Sequence, residues 1–435
     1  MQSPEIAATL PRMARFRLTE VLADTPVVLL HGPRQCGKTT LARAVTEPLG
    51  YGYLSFDDDN AARAARLDPQ GFVADLPPRM VLDEIQRVPE LFTSIKAVVD
   101  QNRMPGRFLL TGSANVLLLP KLADSLAGRM EVLRLHPMAQ AELAGSAGTA
   151  ATVQTGQKPP AFLNALFTAK FETGGFERAR YTRQGPQLAA RIAAGGFPAA
   201  LARTPRRAKA WYSAYVESLA QRDVRELARI SSLDVLPRLL QVAADQTAQL
   251  FNLSSLAGPF QLSRPTIGDY VGLLERVFLL DSLASWHPKP LNKLIKSPKL
   301  HMADTGLACA LLRLDAETLN TDRQRLGQLL ETFVLQELRR AASAWDEAID
   351  FFHFRSRDDY EVDVVLERGP NAVAGVEVKA SGTVREADFR GLKKLQEIAG
   401  PNFVCGVVLY DGDTCLRFGE GMFAVPISAL WEMTC

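Results

Sequence analysis

The sequence has few cysteines and no long, uninterrupted hydrophobic segment. Its five cysteines are scattered without the paired spacing of a metal site, which is typical of the reducing cytosol. No apolar run approaches the roughly 18 residues that a membrane helix needs. The first residues also lack the basic-then-apolar pattern of a secretory signal. These absences predict a cytoplasmic protein that has no membrane partner.

The overall charge is close to balanced, but it is unevenly distributed. The chain has 435 residues and a formal net charge of +2, and a prior of roughly 150 residues per domain suggests two or three domains. No acidic residue occurs between Asp281 and Asp304. That stretch carries the basic residues His287, Lys289, Lys293, Lys296, Lys299 and His301. A local basic patch is therefore the feature that bears on an anionic partner.

A glycine-containing loop follows the apolar residues 26–30. It has the pattern G-x-x-x-x-G-K-[ST], in which backbone amides surround phosphate oxygens, the lysine reaches the β- and γ-phosphates, and the hydroxyl binds Mg²⁺. A strand pattern precedes the loop and a helical pattern follows it. The sequence thus predicts an ATP and Mg²⁺ site, with Thr39 as a metal ligand. The binding residues are Gly32, Pro33, Arg34, Gln35, Cys36, Gly37, Lys38, Thr39 and Thr40.

A second apolar strand, at residues 80–82, ends in two acids. We expect Asp83 to orient the Mg²⁺ shell and Glu84 to polarise the attacking water, because phosphoryl transfer depends mostly on positioning and charge stabilisation. A charged strand end that caps a helix is the weaker alternative, given the loop upstream. A third strand ends in residues 111–115, where Asn115 is expected to hold the water or sense the γ-phosphate. Ordinary turn chemistry is the alternative there.

These strands and their polar ends resemble the AAA-type P-loop ATPases. The likeness is closer to a group of largely uncharacterised bacterial and archaeal ATPases, although Cys36 stands where that group often has a small apolar residue. The matching motifs lie at residues 32–40, 82–86, 110–115, 125–129 and 137–143. The resemblance implies that an arginine from a neighbouring subunit completes the site in a homo-oligomer, and Arg129 is the candidate. A surface or helix-capping role for Arg129 is the alternative.

The middle of the chain begins with a break in composition. Residues 146–185 are rich in small residues and prolines, which is typical of a linker or a variable insertion. Residues 253–274 then predict a helix, a turn and a second helix with Ser263 as its N-cap. A basic hairpin is expected at residues 279–300. Together these elements resemble a winged helix that contacts DNA through Ser263, Arg264, Thr266 and the hairpin lysines, and a protein-packing module is the alternative.

Two strands that form a hairpin are predicted in the last third of the chain. Strand periodicity places Glu377 and Lys379 on one face, with Asp363 opposite. This arrangement resembles the PD-(D/E)XK nuclease superfamily, in which acids bind Mg²⁺ or Mn²⁺ and the lysine helps to generate hydroxide. Glu331, on an upstream helix, is expected as a third metal ligand, and Lys379 as a catalytic residue. A solvated hairpin with cross-strand charge pairs is the alternative.

The sequence therefore predicts an α/β protein of several parts. These are an AAA-type ATPase domain at residues 1–145, a linker or insertion at 146–185, a helical and winged-helix region at 186–300, and a nuclease-like domain at 301–435. The expected function is ATP hydrolysis coupled to DNA remodelling or to metal-dependent cleavage. The alternative is a nucleotide-switched regulator that binds DNA or protein and has a catalytically silent nuclease-like domain.

Overall fold

A computed structural model describes most of the chain. The described residues are 11–113, 126–145, 160–173, 181–221, 235–253, 256, 258–289 and 297–433. Asn115, Lys293 and Lys296, which the sequence singled out, lie outside these ranges. Among the helices of the described residues, none is both long and apolar enough to cross a lipid bilayer.

The N-terminal part is a parallel sheet covered by helices on both faces, with strand order β2-β3-β4-β1-β5. Its strands are β1 Val27–His31, β2 Gly52–Ser55, β3 Met80–Asp83, β4 Phe108–Gly112 and β5 Met130–Arg134. Its helices are α1 Ala14–Asp24, α2 Lys38–Thr46, α3 Asp59–Leu67, α4 Pro69–Ala74, α5 Leu91–Gln101 and α6 Gln140–Leu143. Strands β1 and β4 are buried along their whole length, as a doubly covered parallel sheet requires.

The carboxyl ends of β1, β3 and β4 lie at the same edge of this sheet, because neighbouring strands run parallel. The phosphate loop follows β1, the two acids lie at the end of β3, and Thr111 lies at the end of β4. This edge is where open α/β sheets bind their ligands.

Helices dominate the middle of the chain. They are α7 Ala161–Thr168, α8 Pro186–Ala194, α9 Pro198–Leu201, α10 Pro205–Gln221, α11 Val235–Asp245 and α12 Arg264–Arg276. The predicted N-cap of α12 is confirmed, since the Ser263 hydroxyl accepts a hydrogen bond from the Thr266 amide at 3.3 Å. Helix α7 lies in the predicted linker or insertion, but Phe162, Leu163 and Leu166 are buried in the core, so this part does not behave as a linker, and a variable insertion stays a prediction. Their apolar side chains outweigh the loop-like composition around them.

The remaining strands form one mixed sheet with order β13-β14-β12-β11-β10-β9-β7-β8-β6. They are β6 Gln249–Leu250, β7 Leu280–Ser285, β8 Lys299–Met302, β9 Ile349–Arg355, β10 Glu361–Arg368, β11 Val373–Lys379, β12 Phe403–Tyr410, β13 Leu416–Arg417 and β14 Met422–Pro426. The accompanying helices are α13 Thr305–Leu311, α14 Ala316–Thr321, α15 Arg323–Ala342, α16 Arg390–Ala399 and α17 Ala429–Glu432. The expected hairpins are present, because β7 pairs antiparallel with β8 and β10 with β11.

The middle and C-terminal parts are structurally continuous. Strand β7 pairs with β9 at Ala284–Phe352 and Ser285–His353, so the sheet runs from the middle region into the last third. The proposed boundary between residues 300 and 301 falls inside β8. A single apolar core also includes Leu166 of α7, Leu240 of α11, Leu330 of α15 and Val407 of β12. We therefore describe these parts as one packed unit.

Candidate functional site

The phosphate loop has the backbone conformation that its glycines permit. Gly32 has φ +154°, and a Cβ there would lie 2.1 Å from the Leu135 carbonyl oxygen. Gly37, which precedes α2, has φ +100°. Gln35 also has a positive φ, of 62°. A side chain at position 32 would therefore clash with the backbone of Leu135, the residue directly after β5, and this clash explains why the loop needs glycine at this point.

Lys38 lies inside the loop and is only 5% exposed. Its Nζ donates hydrogen bonds to the carbonyl oxygens of Gly32 and Pro33, both at 3.0 Å. In the described residues, no carboxylate forms an ion pair with this ammonium group. Neutral carbonyls hold the lysine without cancelling its charge, so the loop keeps an uncompensated positive charge beside helix α2's N-terminus.

Asp83 and Thr39 meet as the sequence predicts. The Thr39 hydroxyl lies 3.2 Å from both carboxylate oxygens of Asp83. The Tyr53 hydroxyl donates to Asp83 Oδ2 at 2.7 Å, and the Thr111 hydroxyl donates to Oδ1. Burial and the hydrogen bond to Asp83 raise the pKa of Tyr53 to about 12. The hydroxyl and carboxylate oxygens are the donor types that Mg²⁺ prefers, so this pair fits the expected metal.

Glu84 lies next to Asp83 in a left-handed conformation, with φ 57°. Its backbone amide donates to the Thr111 hydroxyl at 3.2 Å. The Gln86 amide group donates to the Glu84 carboxylate and, at 2.9 Å, to the Ser113 hydroxyl. Positive φ is uncommon for a residue with a side chain and occurs often at functional sites. Gln86 thus orients Glu84, a role that the sequence analysis did not assign.

Arg129 lies at the opposite edge of the sheet from the phosphate loop. It precedes β5, whose Met130 pairs with Val27 and whose Arg134 pairs with His31. At about 3.3 Å per residue, four steps along the strand separate the two edges by roughly 13 Å. Arg129 forms an ion pair with Asp100 of α5. The geometry argues against Arg129 acting on its own ATP site, and a role in a neighbouring subunit stays a prediction.

Arg12 supports the phosphate loop from a distant part of the chain. Its guanidinium donates to the carbonyl oxygens of Cys36 at 2.7 Å and His136 at 2.6 Å, and to Glu142 Oε1 at 3.1 Å. Glu142 also accepts from the Met13 amide at 2.7 Å. The sequence analysis missed Arg12, although the motif at residues 137–143 contains its carboxylate partner.

The middle region contacts the ATP site directly. The Tyr215 hydroxyl of α10 donates to the Arg34 carbonyl oxygen at 3.1 Å. The ring of His31 packs edge-on against Phe278, which precedes β7, with centroids 5.2 Å apart. Burial, followed by the charges of Arg134 and Lys38, lowers the pKa of His31 to about 3. The imidazole is therefore neutral at physiological pH and acts as a packing group.

The C-terminal acids also meet. The β10–β11 register pairs Val364 with Val376, so Asp363 and Glu377 occupy the next opposed positions. A register shift between Val362 and Val365 indicates a bulge beside Asp363, a feature common next to functional sites. Lys379 Nζ lies 2.8 Å from Glu377 Oε1, which confirms that these two side chains share a face.

Lys299 occupies the centre of these acids, contrary to the expectation that it contacts DNA. It is only 2% exposed. Its Nζ lies 2.7 Å from Glu331 Oε1, 2.6 Å from Glu361 Oε1 and 3.5 Å from Asp363 Oδ1. The sequence around Lys299 has no acid, but tertiary contacts bring in three. The exposed-wing interpretation of Lys299 is therefore wrong.

Glu331, Glu361, Asp363 and Glu377 form an acidic cluster whose charges are balanced mainly by lysines. Burial opposes the charge of Lys299, but Glu331, Asp363 and Glu361 outweigh it and raise its pKa. Burial and Asp363 raise the pKa of Glu377 to about 8, and Glu377 Oε2 has no hydrogen-bond partner. Across the described part of the chain, no group of three or more His, Cys, Asp or Glu side chains is arranged to hold a metal ion. A metal at Glu331, Asp363 and Glu377 stays a prediction that this geometry does not favour.

Three consecutive segments of the chain each match a different protein family. Residues 24–144 match an AAA domain, residues 185–318 match a domain of unknown function, DUF8612, and residues 326–430 match another, DUF4143. The resemblance to an AAA-type P-loop ATPase domain is thus confirmed for the first third of the chain. The winged-helix and nuclease-like parts of the resemblance stay predictions.

Individual relatives give no activity for the whole chain. The uncharacterized protein Mb2031c of Mycobacterium bovis is 29% identical over 373 residues, which cover 86% of this chain and 74% of that protein. The uncharacterized protein Rv2008c of Mycobacterium tuberculosis has the same identity and coverage. Among solved structures, the Walker-type ATPase PABY2304 of Pyrococcus abyssi matches with a TM-score of 0.42 and 15% sequence identity. The match covers 70% of this chain and 96% of the Pyrococcus chain.

The RuvB Holliday junction branch migration motor of Thermotoga maritima matches with TM-score 0.26 and 18% identity, covering 64% of this chain and 88% of its own. TM-scores this low support no conclusion about the function of this chain.

Proposed function

We propose that this protein hydrolyses ATP at the phosphate loop, with Lys38 binding the β- and γ-phosphates and Glu84 activating the attacking water. The observation that carries the proposal is the meeting of the loop with the acids of β3, where Thr39 contacts Asp83 at 3.2 Å. Thr39 and Asp83 would hold Mg²⁺, which supplies charge neutralisation of the phosphates when bound.

The remaining steps belong to this chain's own residues. The loop amides and the Lys38 ammonium orient the triphosphate, and Gln86 and the Thr111 hydroxyl fix the position of Glu84. The Glu84 carboxylate then accepts a proton from the water as it attacks the γ-phosphorus, and ADP leaves. Such general-base catalysis contributes roughly 10²- to 10⁴-fold to a rate.

Two substitutions test the proposed roles. Lys38→Ala should abolish nucleotide binding, measured by calorimetry. Glu84→Gln should keep ATP binding and lower the hydrolysis rate by about 100-fold or more, because the amide keeps the size of the carboxylate but cannot accept the proton. Hydrolysis by Glu84→Gln at the wild-type rate would refute the assignment.

We propose that Arg129 acts on the ATP site of a neighbouring subunit, so that the active form is a homo-oligomer. Its location at the far edge of the sheet supports action between subunits instead of within one. A mixture of inactive Arg129→Ala and inactive Lys38→Ala chains should regain part of the ATPase activity at mixed interfaces. A fully active monomer at high dilution would contradict this proposal.

We also propose that the middle region is a winged helix that binds DNA without sequence preference. The order α11, β6, α12, β7, β8 and the sheet order β7-β8-β6 support this proposal. Ser263 and Arg264, at the start of α12, and Lys289, after β7, are exposed. Replacing Arg264 and Lys289 by alanine should weaken DNA binding and reduce its salt dependence by roughly one unit per lost phosphate contact. Unchanged binding and salt dependence would favour a protein-packing module.

We propose that ATP hydrolysis is coupled to remodelling or metal-dependent cleavage of DNA, and the alternative is nucleotide-switched binding of DNA or protein by a chain whose nuclease-like domain is catalytically silent. The contact of Tyr215 with the phosphate loop and of Phe278 with His31 supports coupling between nucleotide state and the middle region. The burial of Lys299 among the C-terminal acids favours switched binding by a catalytically silent domain. Nicking of plasmid DNA with Mn²⁺, with and without ATP, separates cleavage from a catalytically silent domain, and metal-dependent nicking lost in Lys379→Ala would establish cleavage.

A further inference from the structure

Four carboxylates and two lysines converge between β8, β10, β11 and α15, away from the ATP site. The carboxylates belong to Glu331, Glu361, Asp363 and Glu377. The sequence pattern of Glu331, Asp363 and Glu377 alone suggests an open cation site for Mg²⁺ or Mn²⁺. The structure instead places a buried ammonium group there, supplied by a strand of the middle region.

We propose that Lys299 serves as a built-in cation in this cluster and takes the place that a divalent metal would occupy. Its Nζ lies within 2.7 Å of oxygens from both Glu331 and Glu361, on two different elements. Asp363 is the third partner, at 3.5 Å. A single cation that bridges carboxylates from a helix and a strand is what a metal would provide at this point.

The other polar contacts leave little capacity for a metal ion. Asp363 Oδ2 accepts a hydrogen bond from the Val378 amide at 2.9 Å. Glu377 Oε1 is paired with Lys379 at 2.8 Å. The one buried carboxylate oxygen of this group without a partner in the described structure is Glu377 Oε2. A metal ion would have to displace Lys299 or bind beside a positive charge, and like charges at such distances repel strongly in a buried site.

This role of Lys299 goes beyond the proposed ATPase function, since none of these residues belongs to the ATP site. The cluster is complete without a metal ion, and Lys299 fixes the hairpin β7–β8 to β10 and α15. In chemical terms, the Lys299 ammonium group replaces one divalent cation among the same carboxylate oxygens.

The test measures Mn²⁺ binding by electron paramagnetic resonance in nucleotide-free protein. All proteins carry Asp83→Asn, so that the phosphate loop does not contribute a site. The protein with Lys299 intact should show no Mn²⁺ site that depends on Glu377. Lys299→Met, which is one heavy atom shorter and removes the charge, should gain a Mn²⁺ site with an affinity at least tenfold above any Mn²⁺ binding of the parent, and adding Glu377→Gln should abolish this site. Lys96→Met, which alters a partly exposed lysine of α5, is the matched control and should bind Mn²⁺ as its parent does.

A thermal readout separates metal binding from misfolding. Saturating Mn²⁺ should raise the melting temperature of Lys299→Met by about 5 °C and leave that of the parent unchanged. A Mn²⁺ site in the parent that disappears with Glu377→Gln would overturn the proposal, and this measurement does not require Lys299→Met to fold. The proposal also fails if folded Lys299→Met binds no Mn²⁺, because Lys299 would then be a purely structural lysine.

Discussion

Two buried lysines in this protein have opposite surroundings. Lys38 of the phosphate loop is held by two neutral carbonyl oxygens, whereas Lys299 of β8 is held by three carboxylates. The first keeps its positive charge available for an anion, and the second has its charge cancelled. The difference shows that the partners of a buried lysine, more than its burial, decide whether it can bind phosphate or only stabilise the fold.

The comparison is tested most strongly by the same substitution at both positions. Lys38→Met should abolish measurable ATP binding, as Lys38→Ala should, because it removes the ammonium group that reaches the β- and γ-phosphates. Its free energy of unfolding should change little. Lys299→Met should leave ATP affinity unchanged and lower the free energy of unfolding by about 3–5 kcal/mol, since it leaves buried carboxylates unpaired. Calorimetric titration with ATP and urea unfolding followed by circular dichroism measure the two effects.

Lys96→Met serves as the matched control, because Lys96 lies on the partly exposed surface of α5. It should change neither ATP affinity nor stability. The comparison breaks if Lys299→Met is as stable as the wild type, or if Lys38→Met binds ATP normally.

Arg12 sharpens the comparison, since it holds the phosphate loop that presents Lys38. Arg12→Gln should lower ATP affinity by about tenfold, because each charged hydrogen bond it loses contributes about 1.5–3 kcal/mol, part of which holds the Cys36 carbonyl in place. Arg12→Lys should not restore binding, since an ammonium group cannot reproduce the planar fork that reaches Cys36, His136 and Glu142 together. Nucleotide titration measures the effect. The exposed Arg15 of α1 offers a control, and an equal loss in Arg15→Gln would refute the specific role of Arg12.

The effect of His31 differs from the others because it depends on pH. Its folded pKa, about 3, lies below the unfolded value of 6.5, so the unfolded state binds the extra proton between these values. Its contribution to stability is therefore present above pH 6.5 and is lost as the pH falls towards 3. The loss amounts to roughly 2 kcal/mol at pH 5. His31→Gln should flatten the decrease in melting temperature between pH 7 and 5, and an unchanged slope would contradict this account.

Much of the ATP site could be predicted from the sequence because short-range rules govern it. The loop at residues 32–40 and the acids at the end of β3 depend on local backbone geometry and on strands that end at one edge. Strands β10 and β11 and the N-cap Ser263 were also predicted correctly, since strand alternation and capping involve only neighbouring residues.

The surroundings of the key charges could not be predicted in this way. Arg12 and Glu142 are 130 residues apart in the sequence, and no local pattern links them. Arg129 is the last residue of a recognisable motif, but only the register of β5 places it at the far edge of the sheet. The helix α7 lies in a segment whose composition is typical of a linker, and burial of its apolar residues decided its structure.

The sequence by itself determined the phosphate loop, its acids and the alternation that brings Asp363 opposite Glu377. Only the tertiary structure decided that Lys299 belongs with those C-terminal acids. Its local sequence is basic, and Glu331, the carboxylate partner that is nearest along the chain, lies 32 residues away. The energy of a buried charge depends on which charges surround it in space and on the water it has lost, and neither quantity is encoded by neighbours along the chain.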